Sequence, residues 1–242
     1  MDSLKAILLN SGLGKRMGAQ THAKPKCMVE IAPAETIISR QIKQLLAAGI
    51  NDIIVTTGPF AEQLQDYLAA TFPNLPITYV ANPRYASTNY IVSLLLAKEY
   101  LTSEFLLLHG DLVFEDTLLT KTLQSTYANT VLVNPHAPLP EKDFKAQLQD
   151  NLIKKISIDI FGDDCAFLIP LYKISHPLSL AWLAMMEQFV NRNEVNVYAE
   201  NALNVILSTQ ALHPVSFGDE LCTEIDNLAD LAKVKAALTM GE

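Results

Sequence analysis

The sequence predicts an α/β fold, a mostly parallel sheet with helices on both faces and a small lobe after it. Three observations carry this. Strand-like and helix-like segments alternate regularly through the first half. One run, Phe105–His109 (FLLLH), lacks polar alternation, as a strand buried on both faces should. At 242 residues, 50% hydrophobic and 18% charged, the chain has the apolar material for one such core.

Taken in order, the strand-like runs are Lys5–Asn10, Asp52–Thr57, Ile77–Ala81, Phe105–His109 and Thr130–Asn134. Helix-like segments lie between them at 36–48, 61–70, 90–101 and 117–127, the first stopping at Gly49. After about Pro135 the rhythm changes. Lys145–Gln149 and 153–158 flank Asp150-Asn151, a hairpin turn. Residues 165–169 read as another strand, and 177–191 and 199–207 as helices. Residues 215–217 and the run ending at Ile225 return to the sheet, followed by a helix over 228–238. Trp182, Leu183, Met186 and Phe189 fall at helical spacing and are assigned to the core. There is no internal repeat or linker, so 1–242 is read as one domain.

Composition removes several function classes. With 26 acidic and 18 basic residues the net charge is −8, which argues against general nucleic-acid or anionic-membrane binding. Cys27, Cys165 and Cys222 are odd in number and far apart, against a disulfide framework or zinc site. His22, His136, His176 and His213 show no ligand spacing. The apolar run 6–9 is too short for a signal segment, and no stretch approaches a membrane span. A soluble, cytoplasmic protein is expected.

Against that acidic background, Lys5, Lys15, Arg16, Lys24 and Lys26 fall within residues 3–29, which contain no Asp or Glu. A strand running into Gly12-Leu-Gly14-Lys15-Arg16 puts bare backbone N–H groups and two cations together, an arrangement suited to phosphates. The G-x-G-x-x-x-G spacing is not that of a dinucleotide-binding loop, and Gly14-Lys15-Arg16 lacks the hydroxyl of a P-loop. A solvated surface turn is the plain alternative. The second element, Lys24-Pro25-Lys26, speaks against it.

Gly-Leu-Gly-Lys-Arg-Met followed by Lys-Pro-Lys-Cys-Met-Val resembles the signature of nucleotidyltransferases that join an NTP to a phosphorylated small molecule. Their fold is Rossmann-like, similar to that of GT-A glycosyltransferases. The resemblance extends over essentially the whole chain. It implies a nucleotide-binding half (1–134) and an acceptor-binding, completing half (135–242). It also implies nucleotide contacts at Leu9, Asn10, Gly12, Gly14, Thr57, Gly58, Asn82, Asn89 and Gly110. Asn82-Pro83-x-Tyr85 is similar to the family's Asn-x-x-Tyr, and His109-Gly110-Asp111 and Glu224-Ile225-Asp226 to its acidic elements. One departure is visible: Asn10-Ser11 stands where most members carry Ala-Ala.

The implied reaction is attack by a phosphate or phosphonate oxygen on the α-phosphorus of an NTP, with loss of pyrophosphate. A phosphate monoester, with a second pKa of about 6, is already mostly dianionic at neutral pH. Such a nucleophile needs positioning and charge stabilisation rather than a base. The catalytic candidates are Lys15 and Arg16 for the triphosphate and Lys26 between the α-phosphate and the acceptor. Magnesium suits an oxygen-rich site with one or two carboxylates, for which Asp111 and Asp226 are the candidates. The plain alternative is that Asp111 is an N-cap before Leu112 and Asp226 a cap on the last helix.

For the acceptor, Asn89 and Ser93 sit one helical turn apart, which places two small polar groups on one face. This pattern looks like the phosphocholine and aminoethylphosphonate cytidylyltransferase branch. Asn89 serves equally as a helix N-cap. Lys145, Tyr172 and Glu200 complete the acceptor candidates, the last two, with Tyr198 as a further aromatic, for an ammonium head group. The expected partners are thus CTP and a small phosphorylated amine, amino acid or phosphonate, with no nucleic acid and no membrane; a homodimer is compatible with the sequence. Two other readings stand beside this one: a sugar-1-phosphate uridylyl- or thymidylyltransferase, and a non-catalytic nucleotide-binding regulatory subunit.

Overall fold

A computed structural model describes residues 4–240. The five strand-like runs of the first half form strands with the expected bounds. In chain order the strands are β1 (Lys5–Asn10), β2 (Glu30–Ala32), β3 (Glu35–Thr36), β4 (Asp52–Thr57), β5 (Ile77–Ala81), β6 (Phe105–His109) and β7 (Leu112–Phe114). They continue as β8 (Thr130–Asn134), β9 (Lys145–Gln149), β10 (Leu152–Ser157), β11 (Cys165–Ile174), β12 (His213–Ser216) and β13 (Cys222–Glu224). The helices are α1 (Ile37–Ala47), α2 (Ala61–Thr71), α3 (Tyr90–Leu96), α4 (Asp116–Gln124), α5 (His176–Asn191), α6 (Ala199–Ile206) and α7 (Leu228–Met240).

Strands β5, β4, β1 and β6 lie side by side and parallel. Antiparallel β11 follows β6, then β8 and β12, with the β9–β10 hairpin beside the first residues of β11. Strands β9 to β12 therefore extend the same sheet, whereas the run ending at Ile225, expected to return to it, forms β13 outside it and pairs with β7. Side chains alternate along the central strands. Ile7, Phe105 and Leu107 pack under α3, α5 and α6, whereas Ala6, Leu8, Leu106 and Leu108 pack under α1, α2 and α4. A third, smaller cluster joins Met17, Val29, Ile31, Ile37, Val113, Ile225, Leu231 and Val234.

Three departures from the sequence expectation have local causes. The strand expected at 165–169 runs on to Ile174, through Pro170. Pro170 sits where the register with β8 breaks, between Ile169 and Tyr172, so its missing N–H disrupts no ladder there. The helix expected over 90–101 stops at Leu96 and tightens into a 3-10 turn at Lys98–Tyr100. Strand β7, not anticipated, pairs antiparallel with β13, Leu112 opposite Glu224. Among the described residues no helix is long and apolar enough to cross a membrane.

Candidate active site

Parallel strands β1, β4 and β6 end at one sheet edge, at Asn10, Thr57 and His109. Sheets of this type bind ligands beyond the carboxyl ends of their strands, where connections diverge to either side. A cleft of about 770 Å³ opens there.

The glycine loop forms one wall. Gly14 adopts φ of 60°, a left-handed conformation that lets the chain turn tightly into 3-10 segment Lys15–Thr21. A Cβ at Gly14 would lie 3.1 Å from the Lys26 Cβ, so the two cationic elements are packed together. Gly58 allows a second close approach, since a side chain there would overlap the Ser11 carbonyl. Ser11 is itself engaged: its hydroxyl lies 2.6 Å from that of Ser93, which also accepts from Asn82 Nδ2 at 2.9 Å. One residue of the unusual Asn10-Ser11 pair thus ties the loop to α3.

Carboxylates come from the opposite side. The β7–β13 ribbon and a bond from Ile225 N–H to the Asp111 carbonyl (2.9 Å) bring two distant acidic elements together. Lys26 Nζ donates to Asp111 Oδ2 at 2.6 Å and to Asp226 Oδ1 at 2.8 Å, and Arg16 Nη2 donates to the same Asp226 oxygen at 2.8 Å. Asp226 does not cap α7. Asn227 does so, its side-chain oxygen accepting from the N–H groups of Ala229 and Asp230. Burial opposes charge on Lys26, yet the two carboxylates outweigh it and hold its pKa above the ordinary lysine value. Burial likewise disfavours ionised Asp111, but Lys26 and then His109 draw its pKa below the usual carboxylate range.

Beside this pair, His109 Nδ1 lies 3.0 Å from Glu224 Oε1. Burial, then the charge of Asp111, pushes Glu224 up to about 7. Ligand atoms of His109, Asp111 and Glu224 all lie within 4.8 Å of one another. Oxygen donors suit a hard cation such as magnesium, and Asp111 and Asp226 already converge on one ammonium. The residues present therefore fit such an ion.

Most of the expected site residues line the cleft. Leu9, Asn10, Gly12, Gly14, Lys15, Arg16 and Lys26 do so from the loop side. Asn82, Asn89, Gly110, Asp111 and Asp226 do so from the remaining walls. Asn89 also caps α3, its side chain accepting from Tyr90 N–H. Six expected residues lie behind the wall instead. Thr57 is buried in β4, and Gly58 packs on Ser11. Ser93 is buried and occupied by Ser11 and Asn82. Tyr172 and Glu200 are buried and bonded to each other at 2.9 Å. Lys145 is not among the residues lining the cleft, nor is it a water-facing edge residue. It is fully buried, donates to the Pro140 carbonyl at 2.6 Å and stands 4.3 Å from the Phe161 ring centre.

Sequence reasoning pointed to Tyr198 but did not assemble the aromatic end of the cleft, formed by Tyr90, His109, Phe144 and Tyr198. Tyr90 and His109 rings meet edge-on at 4.9 Å, and Phe144 and Tyr198 at 5.0 Å. Tyr90 and His109 were signalled by their positions, directly after Asn89 and directly before Gly110. Phe144 carried no such signal.

A glycine loop bearing cations, opposed by convergent carboxylates at the strand ends of this sheet, forms a site suited to a polyphosphate and a divalent cation. Residues 6–239 match the MobA-like NTP transferase domain, and the chain belongs to that family of nucleotidyltransferases. Among similar proteins, the CMP-5'-(3-aminopropyl)phosphonate synthase of Streptomyces rubellomurinus is 29% identical over 137 residues, 56% of this chain and 22% of that protein. The choline-phosphate cytidylyltransferase of Streptococcus pneumoniae is 35% identical over 124 residues, 51% of this chain and 52% of its own. The chain thus spans about a fifth and about half of these two relatives. The CTP:phosphoglutamine cytidylyltransferase of Campylobacter jejuni is 25% identical over 252 residues, covering 94% of this chain and 98% of that protein. Among solved structures, CTP:phosphocholine cytidylyltransferase from Streptococcus pneumoniae superposes with a TM-score of 0.79 at 23% identity, covering 98% and 99% of the two chains. That similarity is one of fold.

Proposed function

We propose that the chain is a magnesium-dependent cytidylyltransferase that couples CTP to a small phosphorylated amine, amino acid or phosphonate and releases pyrophosphate. The observation that carries this is the meeting of Lys26 and Arg16 with Asp111 and Asp226 in one cleft. Three relatives named for CMP or CTP chemistry support the base, and their acceptors are aminopropylphosphonate, choline phosphate and phosphoglutamine. The aromatic end of the cleft, with Asp143 and Glu224 on its lining, suits a cationic nitrogen.

The chemistry follows from the residues. The acceptor oxygen forms a bond to the α-phosphorus while the bond from that phosphorus to the α–β bridging oxygen breaks, and pyrophosphate leaves with that oxygen. Arg16, Lys15 and the loop N–H groups hold the triphosphate. Lys26 exchanges its carboxylate partners for the α-phosphate, where negative charge concentrates. Asp111 and Asp226, released from the ammonium, would hold magnesium, which neutralises phosphate oxygens when bound.

A pyrophosphate-release screen of ATP, GTP, CTP, UTP and dTTP against phosphocholine, phosphoethanolamine, aminoethylphosphonate and glucose-1-phosphate tests the reading. Release with CTP and an amine-bearing acceptor is expected. Release confined to glucose-1-phosphate with UTP or dTTP, or no release at all, would overturn it.

A further inference from the structure

Glu200, on α6, is 1% exposed, yet it is a carboxylate. Both of its oxygens are taken by phenols: Tyr172 donates to Oε1 at 2.9 Å and Tyr90 donates to Oε2. Among the described residues no lysine or arginine pairs with it. Its neighbours on α6, Ala199, Ala202, Leu203 and Ile206, are buried and apolar. A carboxylate held only by neutral donors in such surroundings is costly, and an apolar side chain would serve packing better. The tie has one consequence at the cleft. Tyr90 lines it, and with its hydroxyl committed to Glu200 it presents the ring alone. That ring stands edge-on to His109 at 4.9 Å and 5.9 Å from Tyr198, which precedes α6. Burial, then the charge of Glu200, raises the Tyr90 phenol well above its ordinary pKa, so it remains the donor.

We propose that Glu200 is a positioning residue, fixing the Tyr90 ring as the wall against which the acceptor's organic portion packs. The proposal rests on the assignment of the aromatic end of the cleft to the acceptor. It places the discriminating contact on an aromatic ring that first-turn geometry of α3 alone would leave free to rotate. Tyr172 holds the other oxygen from the core side and does not reach the cleft.

Four variants test this. Tyr90→Phe and Glu200→Leu should each raise the acceptor KM about tenfold, with kcat and the CTP KM changed less than about twofold. Glu200→Gln keeps an oxygen for Tyr90 and should return the acceptor KM to within about threefold of the parent. Tyr172→Phe should leave the acceptor KM within about twofold while lowering the unfolding midpoint. If Tyr172→Phe moved the acceptor KM as far as Tyr90→Phe, or if Tyr90→Phe moved nothing, the proposal would fall. Glu200→Gln as impaired as Glu200→Leu would assign the effect to charge and overturn it too. The His109 imidazole resonances provide a readout without substrate: they should shift in Tyr90→Phe and hold in Tyr172→Phe, and the converse refutes the tie. An inactive parent protein would sink the proposed reaction while leaving that spectral test in force.

Discussion

Lys26 and Asp111, 85 residues apart in sequence, are joined by a 2.6 Å bond from ammonium to carboxylate. The same ammonium reaches Asp226. The cations that suit a triphosphate and the carboxylates that suit a metal therefore pair with one another. On the proposed reading, a divalent ion binding alone would have to displace Lys26 from Asp111 and Asp226, whereas a metal–nucleotide complex would offer partners to both the cations and the carboxylates.

Lys26→Met should consequently act in two directions. Turnover should drop at least about a hundredfold, as loss of a charge-stabilising group at a reacting phosphate commonly does. Binding of Mn²⁺ to the nucleotide-free protein, followed by electron paramagnetic resonance, should tighten. Unchanged or weaker Mn²⁺ binding would show that the ammonium does not guard the carboxylates.

Asp111→Asn should abolish metal-supported turnover, and Mn²⁺ binding in the presence of CTP should weaken at least about tenfold. Parent-like turnover at saturating metal would remove Asp111 from the metal site.

Gly58→Ala probes the seam between the loops. A methyl group there overlaps the Ser11 carbonyl, so the glycine loop must shift or the variant must carry strain. The expected cost is about 1–3 kcal/mol of unfolding free energy by urea titration, with a raised CTP KM. Stability and KM both equal to the parent would mean that the loops are not in contact in solution.

Away from the cleft, Glu220 should shape the acid limb of stability. Its hydrogen bond from Lys121, then that from the Gly218 N–H, holds its pKa down at about 2, against 4.5 for an unperturbed glutamate. The folded pKa is the lower one, so this contribution is complete above about 4.5 and fades as pH falls toward 2. Glu220→Gln should therefore be less stable than the parent at pH 7, with the gap closing near pH 2.5. A gap independent of pH would contradict the pairing.

What the sequence disclosed depended on how locally each feature is encoded. Apolar runs bounded by polar loops fixed the parallel strands, and a cluster of cations without a single carboxylate marked the glycine loop. Pro170 hid the second half of β11, because its harmlessness depends on a register break with another strand. The three-residue β7 was too short to announce itself, although it is what unites Asp111 with the Asp226 region. Residue type alone does not tell which side of a helix meets a cleft. Ser93, one turn beyond Asn89, faces inward to Ser11, and Glu200 sits one layer behind Tyr90. Lys145 shows the same limit at a strand end, where a lysine became a buried strut for the loop carrying Phe144.

Met17 from the glycine loop and Ile225, Leu231 and Val234 from the chain's final segment share a minor apolar nucleus separate from the two flanking the sheet. Loosening of α7 by mild heat or a protease would thus unseat Arg16 and Asp226 together while the central strands stay intact. Loss of turnover at temperatures below the global unfolding transition is the expected outcome, checked by comparing residual activity with the circular-dichroism melt.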